Sequence, residues 1–331
     1  MTGKVTSADV ARVAGVSRSA VSRVFTPGAS VSEKTARKVR DAAAELGYRP
    51  NVLARSLLTG RSRMIGLVVA YLDNHFYPGA LEKLSTALEA QGYHVLVFMA
   101  SQTAGDIEQV AEEILDYQVD GLVLASVALS SDLARRCRIS GVPVVLFNRR
   151  QGGAEEMAVV SDNFEGGRLV ARHLIDRGCR KLGHIAGWEG ASTQRDREAG
   201  FLSGLREAGL GLVAREIGDF NTERARDAAR VMFGGPDRPD GVFVANDYMA
   251  LQVMDVLRYE LGLRVPEDVR VAGFDDVPTS GWPSYGLTTV RQDTGAMVDE
   301  TVRKLLGAID GQDMASATVL PVELVVRGST G

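Results

Sequence analysis

Polar and aromatic residues that suit ligand binding recur in this sequence where short apolar runs end. Runs of this kind predict buried strands, so the residues that follow them lie at strand ends. They are Tyr71 and Asp73 with Phe76 and Tyr77 nearby, Asn148 and Arg149, Asp162 and Asn163, Trp188 and Thr193, Phe220, Asn246 and Asp247, and Asp275 and Asp276. Carboxylates and amides exchange hydrogen bonds with hydroxyl groups, and aromatic faces pack on C–H surfaces. The set predicts a polyhydroxylated ligand; for any single residue, a capping or turn role is the alternative.

No catalytic signature accompanies these residues. The sequence contains no dinucleotide-binding glycine motif, phosphate-binding loop, nucleophile elbow or H-E-x-x-H pair, and its histidines and cysteines share no metal-ligand spacing. The adjacent carboxylates Asp275 and Asp276 suit acid/base chemistry in principle. Without a nucleophile or a metal set, such a pair more often binds hydroxyls or caps a loop. We therefore expect no enzyme activity, no metal and no cofactor.

The elements that position these residues alternate between strands and helices from Met64 onward. Strands are predicted at 65–69, 95–98, 121–124 and 142–147, with helices at about 79–91, 106–117 and 132–139. After Asn163 helices are predicted at 164–177, 193–208, 222–233 and 247–259, and strands at 182–186, 213–217, 241–245 and 269–273. Apolar runs separated by helices are typical of buried parallel strands. The pattern predicts two doubly wound α/β lobes, with a ligand cleft beyond the carboxyl ends of their strands.

The length and composition of the chain suit two such lobes and a further small domain. The chain has 331 residues, 45% of them hydrophobic and 24% charged, which indicates two or three domains with cores of their own. No run of 18 apolar residues appears, and charged residues lie where a signal peptide would be apolar. We expect a cytoplasmic protein that does not enter the membrane.

Charge is distributed unevenly between the two ends of the chain. Residues 1–63 contain twelve basic and four acidic residues, a net charge of +8; since the whole chain carries −4, the remaining 268 residues carry −12. A basic head on an acidic body is typical of a nucleic-acid-binding module joined to a body that need not contact phosphate. A solvated basic surface is the alternative.

The head also has the pattern of a helix-turn-helix. Ser7 is predicted to cap a first helix that Gly15 ends, and Ser17 to cap a second helix a few residues later. The second helix would present Arg18, Ser19, Ser22 and Arg23, whose guanidinium and hydroxyl groups match base edges and phosphates. A third helix from Ser32 to about Leu46 would close the core. A helical hairpin in a protein-binding module is the alternative.

The segment from Pro50 to Gly60 follows as a helix of about two turns, which is too short to be stable alone. Its apolar residues Leu53, Leu57 and Leu58 need partners. A second copy of the segment or a nucleic-acid groove would supply them, since leucine wedges between base steps are a known minor-groove device. An interdomain linker helix packed on its own protein is the other possibility.

Motifs across essentially the whole chain resemble the lactose/galactose repressor (LacI/GalR-type) family of bacterial transcription regulators. They are VTSADVARVAGVS at 5–17, VSRV at 21–24, GYRPN at 47–51, ARSL at 54–57, VAND at 244–247, VAGFDD at 271–276, LTTV at 287–290 and LVVRGST at 324–330. The resemblance implies a homodimeric repressor that reads two half-sites of an operator in double-stranded DNA. It also implies a hinge helix in the minor groove and a two-lobed regulatory domain similar to periplasmic sugar-binding proteins.

The resemblance assigns roles to individual residues. DNA contacts fall on Arg18 and Ser19 for specificity, Arg23 for a base, Thr6, Ser17 and Ser22 for phosphates, and Asn51, Ala54, Arg55 and the intercalating Leu57 in the hinge. Effector contacts fall on Phe76, Tyr77, Asn148, Thr193, Arg197, Phe220, Asn246 and Asp275, to which the strand-end residues Tyr71 and Asp73 are added. The sequence departs from the family where Asp73-Asn74-His75-Phe76-Tyr77 replaces the common Ser-Asn-Pro-Phe-Phe and where Asn148 replaces a frequent Asp. No leucine heptads follow Arg327, so a dimer is expected.

We expect a head at 1–49, a hinge and linker at 50–63 and an effector-binding and dimerisation domain at 64–331. By resemblance, lobe 1 comprises about 64–161 and 291–320, and lobe 2 about 162–290 and 321–331. The predicted function is a repressor whose operator affinity depends on a sugar or sugar derivative bound between the lobes. A nucleobase-type co-repressor is the alternative, and a cytoplasmic solute-binding protein is a more distant one.

Overall fold

The computed structural model describes residues 5–26, 29–49, 61–99, 110, 113–125, 131–152 and 156–331. These residues divide into two units between Arg63 and Met64. The predicted hinge helix, with Asn51, Ala54, Arg55 and Leu57, lies outside the described residues, and so does most of the predicted helix at 106–117, of which 110 and 113–116 are helical.

The first unit contains three helices, Ser7–Ala14 (α1), Arg18–Val24 (α2) and Glu33–Leu46 (α3). Val10, Val21 and Val39, one from each helix, are almost fully buried together with small alanines. Alanines permit the close approach that a three-residue connection between α1 and α2 demands. The apolar faces of the three helices thus pack together, as predicted for a helix-turn-helix in which α1 and α2 cross steeply.

Capping residues set where these helices begin and end. Gly15 has φ of 65°, the left-handed conformation that ends α1, and the Ser17 hydroxyl accepts a hydrogen bond from the Ala20 backbone N–H at 3.2 Å. The N-cap of α1 is Thr6 rather than the predicted Ser7. Thr6 is the N-cap because the carboxylate of Asp9 pairs with it. This carboxylate accepts from the Thr6 backbone N–H at 3.0 Å and from the Thr6 hydroxyl at 2.7 Å.

The second unit contains two six-stranded sheets and the helices that cover them. The strands are Met64–Val69 (β1), His94–Met99 (β2), Gly121–Ala125 (β3), Val144–Phe147 (β4), Met157–Ser161 (β5), Leu182–Ala186 (β6), Leu212–Ile217 (β7), Gly241–Val244 (β8), Arg270–Asp275 (β9), Thr288–Gln292 (β10), Ala317–Leu320 (β11) and Val322–Val325 (β12). The helices are Phe76–Ala90 (α4), Ser131–Ile139 (α5), Asn163–Asp176 (α6), Ser192–Glu207 (α7), Thr222–Phe233 (α8), Asp247–Asp255 (α9), which continues as a π-helix over Val256–Glu260, and Thr294–Ile309 (α10).

The two sheets define two lobes. Sheet 1 has the strand order β11-β5-β4-β3-β1-β2 and sheet 2 the order β12-β10-β9-β8-β6-β7. All paired strands are parallel except β10 and β12. Lobe 1 consists of sheet 1 with α4, α5 and α10, and lobe 2 consists of sheet 2 with α6 to α9. The chain therefore crosses between the lobes three times, after β5, after β10 and after β11.

Each lobe has its core on both faces of its sheet. In lobe 1, Ile65 and Val145 pack with Met297 and Leu305 of α10; in lobe 2, Phe201, Phe243 and Phe274 meet helix α6. Among the described residues, no helix is long and apolar enough to cross a membrane.

Helices α6 and α7 pack backbone against backbone. A Cβ atom at Gly167 of α6 would clash with the carbonyl oxygen of Arg197, and one at Gly200 of α7 would clash with the carbonyl oxygen of Phe164. Glycine is required at both positions because the helices leave no room for a side chain. The backbone of Arg197 is part of this contact.

Candidate functional site

Ten side chains from the strand ends of both lobes surround a small cavity, named here the interlobe cavity. They are Tyr71, Asn74, Tyr77, Asn148 and Arg149 of lobe 1, and Thr193, Arg197, Phe220, Asn246 and Asp275 of lobe 2. The free space between them is about 10 Å³. A volume of that size holds about one water molecule, so the lobes are closed on each other and a larger ligand needs them to separate.

Arg197 projects from α7 and is held by three hydrogen bonds. Its Nε donates to Asn163 Oδ1 at 2.8 Å, Nη1 to the Ala245 carbonyl at 2.6 Å, and Nη2 to Asp275 Oδ1 at 3.3 Å. The guanidinium also lies 3.6 Å from the centroid of the Phe274 ring. These contacts fix a cationic fork, whose geometry suits hydroxyl or carboxylate oxygens.

Asp275 ends β9 in a strained backbone conformation, with φ of 127°. Its carboxylate also accepts from Gln292 Nε2 at 2.8 Å and from Asn74 Nδ2 at 3.5 Å. Burial raises its pKa to about 7, although the charge of Arg197 opposes this change. Outlying backbone of this kind persists only where the surroundings enforce it and clusters at functional sites.

Asp247 is a second buried carboxylate close to Asp275. Its oxygens accept from Thr289 Oγ1 at 2.5 Å, from Ser280 Oγ at 2.7 Å and from the Val277 backbone N–H at 3.1 Å. Burial raises its pKa despite these donors. Asp247 therefore ties the loop after β9 to α9 and supports Asp275 from outside the cavity.

Lobe 1 contributes an amide and a set of aromatic rings. Asn148 follows β4 with φ of 67°, and its Nδ2 donates to Tyr77 Oη at 3.1 Å. The ring of Tyr77 packs edge to face on Tyr71 and on Phe76. Asn148 Oδ1 is buried and has no hydrogen-bond partner in the described part of the chain. An acceptor of this kind is costly unless a ligand donates to it.

Arg149 faces two aromatic rings of lobe 2. Its guanidinium carbon lies 5.5 Å from the centroid of Trp188 and 5.8 Å from that of Phe220. These distances are those of cation–π contacts.

A buried histidine orients the loop that carries Trp188. His184 Nδ1 donates to the Phe243 carbonyl at 2.9 Å, so its Nε2 accepts from Gln194 Nε2 at 3.2 Å. Burial lowers the His184 pKa to about 4 and keeps the ring neutral. Gln194 Oε1 in turn accepts from the Gly187 backbone N–H at 2.6 Å, which fixes the residue before Trp188.

The structure brings together most of the effector residues predicted from sequence. Tyr71, Tyr77, Asn148, Thr193, Arg197, Phe220, Asn246 and Asp275 all line the interlobe cavity. Two predicted residues do not. Phe76 is buried in the lobe 1 core, stacked on Phe147 with centroids 6.3 Å apart, because it faces sheet 1 from the first turn of α4. Asp73 is exposed.

The effector residues assigned from sequence do not include Asn74, Arg149 and Gln292. Arg149 belongs to the strand-end set that predicts a polyhydroxylated ligand, and Asn74 lies within the motif at 73–77, so both have a local signal. Gln292, which holds Asp275, ends the strand β10 that the apolar pattern did not reveal.

The first unit presents a second candidate surface. Thr6, Ser17, Arg18, Ser19, Ser22 and Arg23 are all exposed. Arg18 and Ser19 occupy the first turn of α2 and Arg23 its last, so one helix presents two guanidinium groups and two hydroxyls. This surface can donate hydrogen bonds to guanine edges and to phosphates.

Within the ranges that the structure describes, no three histidine, cysteine, aspartate or glutamate side chains form a group that could hold a metal ion.

Two parts of the chain match known family models. Residues 6–51 match bacterial regulatory proteins of the lacI family, and residues 171–330 match the periplasmic binding protein-like domain. The chain is 33% identical over 329 residues to the sucrose operon repressor of Streptococcus mutans, with 98% of each chain covered.

Solved structures of transcription regulators are also similar to this chain. The Lac repressor dimer bound to operator and the anti-inducer ONPF is 30% identical with a TM-score of 0.89, and 99% of each chain is covered. A complex of the transcriptional regulator CelR with cellobiose is 32% identical with a TM-score of 0.74, over 98% of this chain and all of the other.

Proposed function

The chain belongs to the LacI family of bacterial regulatory proteins, and from this premise we propose that it represses transcription in response to a sugar or sugar derivative bound in the interlobe cavity. Members of this family are DNA-binding transcription regulators controlled by small molecules, and they are not enzymes. The proposal concerns the class of effector, the residues that bind it and the way in which binding reaches DNA.

One observation carries the choice of ligand class. The buried pair of Arg197 and Asp275 offers donors and acceptors side by side, and Asn148 Oδ1 has no donor within the described residues. Neighbouring hydroxyl groups of a sugar both donate and accept, so they satisfy all three side chains. Aromatic rings at Trp188 and Phe220 suit the C–H face of a sugar ring. That CelR has been solved with cellobiose supports the same class.

We assign DNA recognition to α2 and the hinge. Arg18, Ser19 and Arg23 would contact base edges, while Thr6, Ser17 and Ser22 would contact phosphates. In the segment 50–60, which lies outside the described residues, Asn51, Ala54 and Arg55 would contact DNA and Leu57 would insert between base steps. The domain limits that go with this assignment are 1–49, 50–63 and 64–331.

We propose a homodimer as the working unit. Val97 and Met99 on the edge strand β2 are 53% and 50% exposed, and alternate residues of a strand share a face. An apolar face on a sheet edge is unfavourable in water, and a second copy of the chain would cover it. A dimer also matches the two half-sites of an operator.

Coupling between the two sites would use the three crossings between the lobes. A ligand that binds one lobe arrangement more tightly than another shifts the population of the two arrangements. In a dimer this shift would change whether two hinge segments pair on DNA. The coupling must be reciprocal, so operator DNA must change effector affinity by the same factor.

Two measurements test the proposal. The first is a thermal-shift screen of the full chain against sugars, sugar acids, sugar phosphates, polyols and nucleobases, since a ligand of the folded state raises its stability. The second is binding of DNA selected from a random library, with and without the ligand found. A stabilising sugar that changes DNA affinity supports the proposal. A nucleobase hit would favour the co-repressor alternative, and failure to select any DNA would refute the function.

A further inference from the structure

We propose that a groove beside the lobe crossings is a second small-molecule site, which takes a hydroxylated carboxylic acid with one negative charge. It is named here the crossover groove and is lined by residues 291–296 and 320–323 with Lys83, Asp275 and Asp276. Its volume is about 710 Å³, and ordinary small-molecule sites have roughly 300–1,000 Å³. This site goes beyond the proposed function, which concerns the interlobe cavity.

The crossover groove has walls from both lobes. Lobe 1 contributes Lys83 of α4 and the first residues of α10, and lobe 2 contributes the end of β10 and the start of β12. Two of the three crossings, at Asp293 after β10 and at Pro321 after β11, lie in this lining. Asp275 lines the groove as well as the interlobe cavity. A ligand in the groove therefore contacts both lobes next to the chain segments that join them.

Gln292 supplies a buried hydrogen-bond acceptor in the lining. The residue is 3% exposed, and its Nε2 donates to Asp275 Oδ1 at 2.8 Å. Because an ionised carboxylate only accepts, Oε1 is the end of the amide left for a ligand. This oxygen is buried and has no hydrogen-bond donor in the described part of the chain. An unpaired buried acceptor is costly, and a hydroxyl group of a ligand would supply the donor.

The first turn of α10 supplies donors for a negative group. The helix has 16 residues, and the N–H groups of its first turn have no partners within the helix. Asp293 Oδ1 accepts from the Ala296 N–H at 2.9 Å. Thr294 and Gly295, which contribute the other N–H groups of this turn, line the groove. The end of a helix that presents such groups attracts anions.

The charged side chains of the groove limit the ligand to one negative charge. Arg291 is already paired, because its Nε donates to Asp276 at 2.6 Å and its guanidinium also pairs with Glu323. Among the described residues of the lining, Lys83 is therefore the cation without an ion pair. One ammonium group beside the helix end suits one carboxylate. A phosphate dianion would also meet Glu323 and Asp293, and like charges repel.

The crossing from β11 to β12 supplies an apolar wall. Leu320 and Val322 are half-buried, and Pro321 between them is exposed. All three line the groove and can pack on the carbon chain of a ligand. The groove thus combines donors for a carboxylate, an acceptor for a hydroxyl and a surface for carbon. A plain polyol lacks the first group, and a plain fatty acid lacks the second.

Calorimetric titration of the full chain with gluconate at constant ionic strength tests where the ligand binds. Lys83→Gln removes the ammonium group and should weaken gluconate binding about fivefold or more. Lys181→Gln changes an exposed lysine of lobe 2 and should leave binding unchanged. Arg197→Lys alters the interlobe cavity but keeps the charge beside Asp275, so it should change gluconate affinity by less than about twofold. Absence of gluconate binding would overturn the proposal, and so would a loss in Arg197→Lys that equals the loss in Lys83→Gln.

The class of ligand is tested by titrations of the Arg197→Lys chain, in which the interlobe cavity has lost its guanidinium fork. Glucitol lacks the carboxylate of gluconate and hexanoate lacks its hydroxyl groups, so each should bind about tenfold more weakly than gluconate or not at all. Glucose 6-phosphate should also bind more weakly, because its second negative charge meets the acidic side chains of the groove. Equal or tighter binding of any of these three compounds would overturn the proposed ligand class.

Discussion

Nη2 of Arg197 lies 3.3 Å from Oδ1 of Asp275, and both side chains are only 3% exposed. The pair joins α7 to the end of β9 within lobe 2. Removing one member of a buried ion pair leaves an uncompensated charge. A substitution that keeps the positive charge of Arg197 avoids that cost and changes only the geometry of its hydrogen bonds.

Arg197→Lys should abolish the thermal shift given by the effector while DNA binding is retained. Lysine keeps the positive charge, but it cannot donate to Asn163, the Ala245 carbonyl and Asp275 at once from a planar group. The exposed Arg206 at the end of the same helix supplies the control, since Arg206→Lys should behave as the original chain. A normal effector response in Arg197→Lys would remove this residue from the site.

Effector affinity should rise with pH to a plateau above about pH 7. Asp275, with its pKa raised to about 7 by burial, accepts hydroxyl hydrogen bonds fully only when ionised. Below that pKa affinity should fall by up to about tenfold per pH unit. Titrations across the neutral range check this, and Asp275→Asn should remove the pH dependence.

The carboxyl group of Asp275 should also make the free energy of unfolding depend on pH, in a direction that its raised pKa determines. Its folded pKa of about 7 lies above the unfolded value of 3.8, so the folded chain binds a proton that the unfolded chain has released. The contribution of Asp275 to the free energy of unfolding therefore falls as pH rises from about 4 to 7. Urea unfolding of the original chain and of Asp275→Asn across this range measures it; a difference with the opposite slope would contradict the raised pKa.

Arg18→Ala should weaken binding to the selected DNA by about 1–3 kcal/mol and relax preference at one base position. Arg12 on α1 provides the comparison, because its side chain is exposed and pairs with Asp9 of the same helix at 3.4 Å. Fluorescence anisotropy at fixed salt measures both variants. Equal losses in Arg12→Ala and Arg18→Ala would indicate a general charge effect instead of base recognition.

If Leu57 is the wedge that we propose, Leu57→Ala should weaken specific DNA binding and spare effector binding. Anisotropy and thermal shift on the same protein separate the two effects. Unchanged DNA affinity would refute the wedge assignment.

Gly200→Ala should destabilise the chain by about 3 kcal/mol or more, because the added methyl group meets the carbonyl oxygen of Phe164 and the helices must move apart. Gly79→Ala is the matched control. Gly79 is helical with nothing within 4 Å of its Cβ position, so alanine there should stabilise by about 0.5–1 kcal/mol. Urea unfolding of both variants compares them, and a neutral Gly200→Ala would show that α6 and α7 can separate at little cost.

Sequence patterns predicted the parts of the fold where one local signal is strong. Continuous apolar runs such as Ile65–Val69 predict buried strands, and Gly15 with Ser17 marks the turn between α1 and α2. Strands β5, β10, β11 and β12 and helix α10 were not individually predicted. β11 and β12 contain only exposed and half-buried residues, so their apolar pattern is weak, and their partners lie far away in sequence.

The limits of the site prediction have the same physical origin. Strand ends identify seven of the eight assigned effector residues that line the cavity, whereas Arg197 comes from the family resemblance alone. The pattern does not show which way each side chain at 73–77 points, so it does not distinguish Phe76, in the first turn of α4, from Asn74 before the helix. Phe76 enters the core while the neighbouring Asn74 donates to Asp275.

Strand β11 pairs with β5, and Ala317 lies opposite Ala158. This pairing determines when sheet 1 can be completed during synthesis. Sheet 1 lacks its outer strand until residues 317–320 leave the ribosome, although most of its other strands emerge far earlier. The three helices of the head are complete once Leu46 has emerged. Because domains fold from the N-terminus as translation proceeds, the nascent chain exposes a formed basic head well before its sensing lobes can close. We therefore expect ribosome-bound chains of this protein to pass through a period in which affinity for nucleic acid does not yet depend on the effector.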